Sequence, residues 1–389
     1  MSEPRNTEER GALTLPVDAL LVLAVVGLAA CSLAAIAAST QDDVAGSPNH
    51  YVIRQGIFFG VGAVLVAVLS RLDYSGLRRG KYVTYGTMLV AIVAVIALGS
   101  DVRGSRRAID LGFFQLQSSE LGKLLLILAL SAFVVDRARR LRERDTTALV
   151  LLLALVPAAL VMLQPDLGSS LVYVVISGAL LFVAGTSSKH FAALFGLGVA
   201  AVVFVLLAGP ALGVDVLHDY QTERVTSFLH PSDSPGDAGY QQNQSRIAIG
   251  SGEQTGRGDR ATQTGLNFLP EHHTDFVFAV VGERWGFVGA AFVLCLYALL
   301  IWRALRILTM AKNLFGALIA GGIVAMFLFQ VFVNVGMNLG IMPITGIPLP
   351  LMSYGGSSVL TTLLAVGLLQ SIYAQGKTAA ATKGRILTT

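Results

Sequence analysis

The chain has 389 residues, 54% of them hydrophobic and only 13% charged, with 28 Lys and Arg against 24 Asp and Glu. A soluble domain carries about twice that charge fraction, so a mean hydropathy of +0.68 excludes an ordinary water-soluble enzyme. Cys31 and Cys295 both lie in apolar runs, which excludes a disulfide framework and a thiolate metal centre, and basic residues spread over many loops exclude a nucleic-acid face.

The N-terminal MSEPRNTEERGA is polar, with no basic run ahead of the first apolar segment, so it predicts a retained helix and not a cleaved leader. Apolar segments follow at 16–39, 53–70, 82–99, 119–135, 146–163, 168–185, 190–210, 276–302, 314–338 and 354–374. About ten membrane-spanning helices, an all-α polytopic protein, are therefore expected. The basic stretches RLDYSGLRRGKY, DRARRLRERD, SSKH and RALRILTMAK, with Lys377, Lys383 and Arg385, all fall on one side if the helices alternate. That side is cytoplasmic by the positive-inside rule. Residues 1–15 and 376–389 then form cytoplasmic tails about a transmembrane domain at 16–375, and the outer face carries loops at 40–52, 100–118, 211–275 and 339–358. The largest loop separates the seventh and eighth helices.

Charge inside such a chain needs a reason, because ions are costly in hydrocarbon. Glu120 and Lys123 sit three apart at the start of the fourth helix, which Ser118 or Ser119 can cap. Asp166, in QPDLGSS between two apolar helices, needs a partner, and Lys123 or a nearby Arg is the obvious one. These residues predict an outward-facing polar cavity lined by Glu120, Lys123 and Asp166, which Arg54 can join from the outer start of the second helix. Arg106 and Arg107 are adjacent guanidiniums outside it; planar forks of this kind suit a phosphate or pyrophosphate, although snorkelling to headgroups explains the pair equally well.

The long loop contains QSRIAIGSGEQTGRGD, Gly-rich and Arg-bearing but without Walker spacing. It ends in FLPEHHTDFVFAVVGERWG. His272 and His273 are adjacent, not at the i, i+4 spacing of a helical metal pair. A metal held by one His, Glu271 and Asp275 is the weaker reading; capping and orientation at the helix start is the stronger. Glu283 lies eight residues after Asp275, about 12 Å along a helix, and reads with Arg284 as a neutralised structural pair.

Taken together, LQPDLGSS, YQQNQSRIAIGSG, ATQTGLNFLPEHHTDF and GIMPITGIPLPLMSYGGSS, in that order, resemble the SEDS family (shape, elongation, division and sporulation proteins) over residues 50 to 375. The stretch NVGMNLGIMPITGIPLPLMSYGGSS is more similar to the elongation branch, RodA, than to the division branch. The resemblance implies ten transmembrane helices and a peptidoglycan glycosyltransferase of the bacterial cytoplasmic membrane. Such an enzyme polymerises lipid II on the outer face, releases undecaprenyl pyrophosphate and works with a class B penicillin-binding protein. It assigns the essential carboxylate to Asp275 and carries Glu120, Lys123 and Asp166 over as motif residues. Three stretches depart from the family pattern: RRAI for RRW(I/L), QSSE for QPSE, and GSGEQTGRG for GSGGLxGKG, which puts Glu253 and Gln254 at positions normally small and apolar.

On this reading Asp275 is the base, supported by Glu271 and His273, while Arg106, Arg107, Lys123 and Arg246 supply charge to the leaving pyrophosphate. No metal ligands are assigned, and a divalent cation, Mg or Mn, is left open. A lipid II flippase and a non-catalytic scaffold for a transpeptidase are the rival readings; a continuous polar groove to the cytoplasmic side would favour the first.

Overall fold

The computed structural model describes residues 16–386 except 42, 44–45, 103–104, 111, 141–142, 204–223, 225–227, 229–236 and 265–267. Eleven α-helices account for most of it: α1 Ala19–Ser39, α2 His50–Leu69, α3 Lys81–Leu98, α4 Ser118–Asp136, α5 Arg144–Met162, α6 Leu167–Val183, α7 Ser188–Val203, α8 Asp237–Ser251, α9 Val277–Met310, α10 Leu314–Asn338 and α11 Gly356–Ile386. All but α8 fall on the apolar segments read from the sequence. Eight helices among the described residues are long and apolar enough to cross a membrane; α6 is a shorter apolar helix, and the described part of α7 ends at Val203.

Burial sorts the helices into a centre and a periphery. α4, α10 and α11 are mostly enclosed, whereas α2 and α3 turn Ile53, Val64, Val83 and Val90 outward. Exposed aliphatics on a helix of this length are what a hydrocarbon surround permits. α2 packs along α11, α3 along α4, α1 and α10 along α9, and α6 against both α5 and α10. The core that results runs from Leu21 on α1 to Tyr373 on α11.

The loop between α3 and α4 is not irregular. β1 (Ser100–Val102), β2 (Ser105–Asp110) and β3 (Gln115–Leu116) form a small antiparallel sheet, with Asp110 opposite Gln115. The Asp110 carboxylate accepts the Gly112 N–H at 2.8 Å, and Gly112 has φ +81°, which closes the turn.

α9 breaks its own ladder at Gly286 (φ +61°, ψ −157°). The break lets the Gly-rich loop dock into it. Phe287 and Val288 donate their N–H groups to the Glu253 and Gln254 carbonyls at 2.8 and 3.1 Å, and Arg257 N–H donates to Glu283 O at 2.8 Å. A Cβ at Gly256 would collide with the Arg284 carbonyl, so its glycine is needed for backbone approach. The loop's glycines therefore serve helix packing. Glu253 follows the same path at φ +48°, a left-handed conformation that glycine adopts without penalty.

Candidate active site

Four segments converge beyond the N-terminal ends of α4, α6, α9 and α11. The α6 start contributes Asp166, its N-cap, whose Oδ1 accepts Ser169 N–H at 3.0 Å. Its Oδ2 accepts the Ser119 hydroxyl at 2.9 Å and Gln117 Nε2 at 3.4 Å. The ammonium of Lys123 bonds Glu120 at 2.6 Å, with side chains 1% and 2% exposed. The expected Asp166–Lys123 pairing is thus replaced by a Glu120–Lys123 ion pair beside a carboxylate satisfied by neutral donors. Two buried charges one helical turn apart reach each other more cheaply than either reaches across helices. The expected serine cap of α4 is also absent: Gln117 is the N-cap without a side-chain bond, and Ser119 is spent on Asp166.

Asp275 sits half-buried in the turn before α9, with its backbone clamped. Its carbonyl accepts Nδ2 of both Asn334 and Asn338 on α10, at 3.0 and 3.1 Å, and Asn334 also donates to Ile347 O at 2.8 Å. Neighbouring carbonyls are held as well: Ser353 donates its hydroxyl to Thr274 O at 2.6 Å and Tyr354 its N–H to His273 O at 2.8 Å. With four donors on three successive carbonyls, the segment has little freedom.

The side chain of Asp275 is aimed at Gly346. A Cβ on Gly346 (φ +73°) would lie 3.7 Å from Asp275 Oδ2 and 3.8 Å from Arg224 Nη1. A carboxylate oxygen and a guanidinium nitrogen thus flank the same face of Gly346, whose positive φ suits glycine. The same loop reaches the Asp166 side, because Gly168 packs against Thr345 O and Ile347. Residues 345–347 are the partition between Asp275 and the α6 cap.

Arg54 lies on the opposite flank, its guanidinium 5.3 Å from the Phe113 ring centre and hydrogen-bonded to Tyr354. Through Tyr354, whose N–H bonds the His273 carbonyl, it is linked to the Asp275 segment. Burial pushes the Tyr354 phenol up and Arg54 opposes that shift. Arg246 is exposed on α8 with its stem against Gly340. Arg106 and Arg107 lie on β2, and their side chains fall outside the described residues. Glu271, at φ +56°, accepts the Thr274 hydroxyl at 2.7 Å. His273 lies against Tyr51, ring centres 4.6 Å apart. Neither Thr274 nor Asp275 caps α9, whose N-cap is Phe276.

Glu283 is structural, though its partner is not Arg284. It is fully buried and accepts the N–H groups of Thr262, Gln263 and Thr264 at 2.8, 2.8 and 3.0 Å. Arg284 turns away to Asp259 and the Ala38 carbonyl.

Sequence reading missed Arg224, Asn334 and Asn338. The asparagines carried a signal, two amides at i, i+4 in an otherwise apolar helix; Arg224 carried none.

Residues 14–378 match the family profile described as "Cell cycle protein", which covers FtsW, RodA and SpoVE. The chain belongs to this family. It is 39% identical over 360 residues to the probable peptidoglycan glycosyltransferase FtsW of Thioalkalivibrio sulfidiphilus, covering 91% of this chain and 88% of that one. It is equally 39% identical over 321 residues to the peptidoglycan glycosyltransferase MrdB of Escherichia coli, covering 82% and 84%. Among solved structures, a chain from a peptidoglycan synthase complex that coordinates polymerisation and crosslinking superposes with TM-score 0.79 at 33% identity, over 93% and 99% of the two chains. Thermus thermophilus RodA superposes at 0.66 with 31% identity, over 92% and 97%. The chain is therefore a multi-pass membrane protein of the peptidoglycan glycosyltransferase class. Equal likeness to division and elongation relatives leaves the branch undecided by similarity.

Proposed function

We propose that the chain polymerises lipid II into glycan strands on the outer face of the cytoplasmic membrane, with Asp275 as general base. The acceptor's 4-hydroxyl attacks the donor's anomeric carbon. As that C–O bond forms, the bond to the pyrophosphate oxygen breaks, and its electron pair leaves on undecaprenyl pyrophosphate. Asp275 takes the hydroxyl proton. A single displacement inverts the anomeric centre and needs one base plus cations at the leaving group, with no second acidic carboxylate.

The observation that carries this reading is the convergence of Asp275 Oδ2 and Arg224 Nη1 on Gly346. A base and a phosphate-matching cation border one opening while the backbone of the base is immobilised from α10. Arg224 joins Arg54, Arg106, Arg107 and Arg246 as a candidate for phosphate charge. Lys123 is removed from that role by its bond to Glu120; with Glu120 and Asp166 it shapes the floor.

Ten spans with both termini cytoplasmic, tails at 1–15 and 376–389, and an outward-facing site complete the reading. A class B penicillin-binding protein is the inferred partner, supported by the synthase complex among the structural relatives. The GIMPITGIPLPLMSYGGSS stretch supports an elongation role. In a gel assay of purified protein with lipid II, Asp275→Asn loses polymerisation by at least ~100-fold while remaining folded. Product formation near the wild-type rate would remove Asp275 as base.

A further inference from the structure

Behind the Asp275 turn lies a second polar cluster that the mechanism does not use. Asp43, in the loop between α1 and α2, points an oxygen at both histidines of the EHHTD segment. Its Oδ2 is 3.3 Å from His272 Nε2 and 3.8 Å from His273 Nδ1, and the three atoms all lie within 4.8 Å of one another. The cluster is enclosed: His272 is 4% exposed, and the side chains of Asp43 and His273 are 11% and 16% exposed.

Hydrogen bonding defines what this cluster lacks. His272 Nδ1 is 3.1 Å from the Leu269 carbonyl. A carbonyl can only accept, so the neutral ring carries its proton on Nδ1 and presents a lone pair at Nε2. That lone pair faces the carboxylate oxygen of Asp43, also an acceptor, and neither Nε2 nor Oδ2 has a hydrogen-bond partner. Two buried acceptors facing each other at 3.3 Å require a positive species between them, either an added proton or a metal ion.

We propose that Asp43, His272 and His273 bind a divalent transition metal of the Zn²⁺ class, with solvent in the fourth position. Bonds of about 2.0–2.1 Å in tetrahedral geometry separate ligand atoms by about 3.3–3.4 Å. The Asp43–His272 separation is 3.3 Å, and His273 Nδ1, at 3.8 Å from Asp43, would move a few tenths of an ångström closer. Two imidazoles and one carboxylate favour Zn²⁺ over Mg²⁺, which prefers oxygen ligands and six-fold geometry. The Nδ1–H···O=C bond of His272 is the outer-shell contact that fixes a metal-binding imidazole in its tautomer. Such an ion ties the α1–α2 loop to a segment whose Asp275 lies two residues beyond His273. Its role as a clasp for the base rests on the proposed function; its binding does not.

The test uses full-length protein without a polyhistidine tag, in nanodiscs, stripped by chelator and then incubated with ZnCl₂ or CoCl₂. Metal per chain is measured by mass spectrometry, and Co²⁺ ligation by visible absorption. Wild type and Asp275→Asn are each expected to hold one ion per chain, unaffected by excess MgCl₂. Asp43→Asn and His272→Ala are each expected to fall at least ~100-fold in affinity, beyond the 10–100-fold that outer-shell partners command. Asp43→Asn lies in an outer loop, so it reports the site even if His272→Ala misfolds. A wild type that retains no ion, as a proton-bridged pair would, overturns the proposal, as does Asp43→Asn binding like wild type. Loss of polymerisation in Asp275→Asn with its ion retained separates this site from the catalytic reading.

Discussion

At the end of the bundle where α4, α6 and α9 begin, Lys123 and Glu120 bond each other in near-complete burial, and the Asp275 backbone is pinned by two asparagines of a neighbouring helix. At the opposite end, Asp136 bridges Arg78 and Lys81 with side chains between 15% and 47% exposed, and Lys312 meets Asp73 across 3.4 Å. These latter pairs are partly exposed and replaceable. Glu120 and Lys123 are enclosed, where an unpaired charge is far more costly. One charge at the opposite end breaks the pattern: Asp18, 1% exposed, caps α1, receives Arg303 and ties both to Gln370 of α11. Its contacts are used up in joining three helices, which marks it as a fastening. A charge held ready for chemistry faces an opening, as Asp275 faces Gly346.

The sharpest way to break this contrast is to remove one partner at each end. Glu120→Gln leaves the Lys123 ammonium buried without its counter-ion and is expected to destabilise by about 3–5 kcal/mol. Arg78→Met, at the opposite end, should cost no more than about 1 kcal/mol. Chemical unfolding of the purified protein in detergent measures both. Comparable losses at the two ends would erase the distinction.

Next in size is the cation at the opening. Arg224→Met is expected to lower lipid II polymerisation by about 10²–10³-fold, the effect of removing one donor from a developing anion. Arg246→Met, exposed on α8, serves as the comparison. An equal loss in both variants would mean that general electrostatic attraction, and not placement beside Asp275, holds the pyrophosphate.

These tests also mark where sequence reading stopped. Apolar runs are local, so ten of them became α1 to α7 and α9 to α11; α9 and α11 run on past the apolar stretch to Met310 and Ile386, because charged residues continue a helix readily. Glu120 and Lys123 were legible because three residues on a helix bring side chains together. Pairings set by tertiary folding were not. Asp43 meets His272 across more than two hundred residues, and Arg224 and Asp275 come together beside Gly346, which is remote from both in sequence. The small β-sheet was hidden because strands of two to six residues carry too little alternation to register. The i, i+4 asparagines of α10 were there to be read: polar amides in an apolar helix mark a site.

A smaller effect follows from Glu253. The family pattern has glycine at this position, and its φ of +48° explains why. Glu253→Gly relieves a left-handed strain of about 1–2 kcal/mol and regains part of it as unfolded-state entropy. A net stabilisation of roughly 0.5–1 kcal/mol is expected, read as a rise in Tm with polymerisation unchanged. A loss of stability would mean that the Glu253 side chain makes contacts worth more than the strain.

The smallest effect sits at the exposed Asp73–Lys312 pair, and its sign is fixed by a depressed carboxyl. Asp73 is held below its ordinary value of 3.8 chiefly by the Ser75 N–H, 2.8 Å from its oxygen, and further by Lys312. A carboxyl depressed on folding contributes stability above its unfolded pKa and loses it as pH falls through the folded value. Wild type should therefore exceed Asp73→Asn by a few tenths of a kcal/mol at neutral pH, on the order of an exposed pair. The margin should persist down to pH 3.8, close below it, and shrink with added salt. Asparagine keeps the oxygen that receives Ser75 N–H, so a margin insensitive to pH and salt would assign the stabilisation to the turn and leave the Lys312 charge without effect.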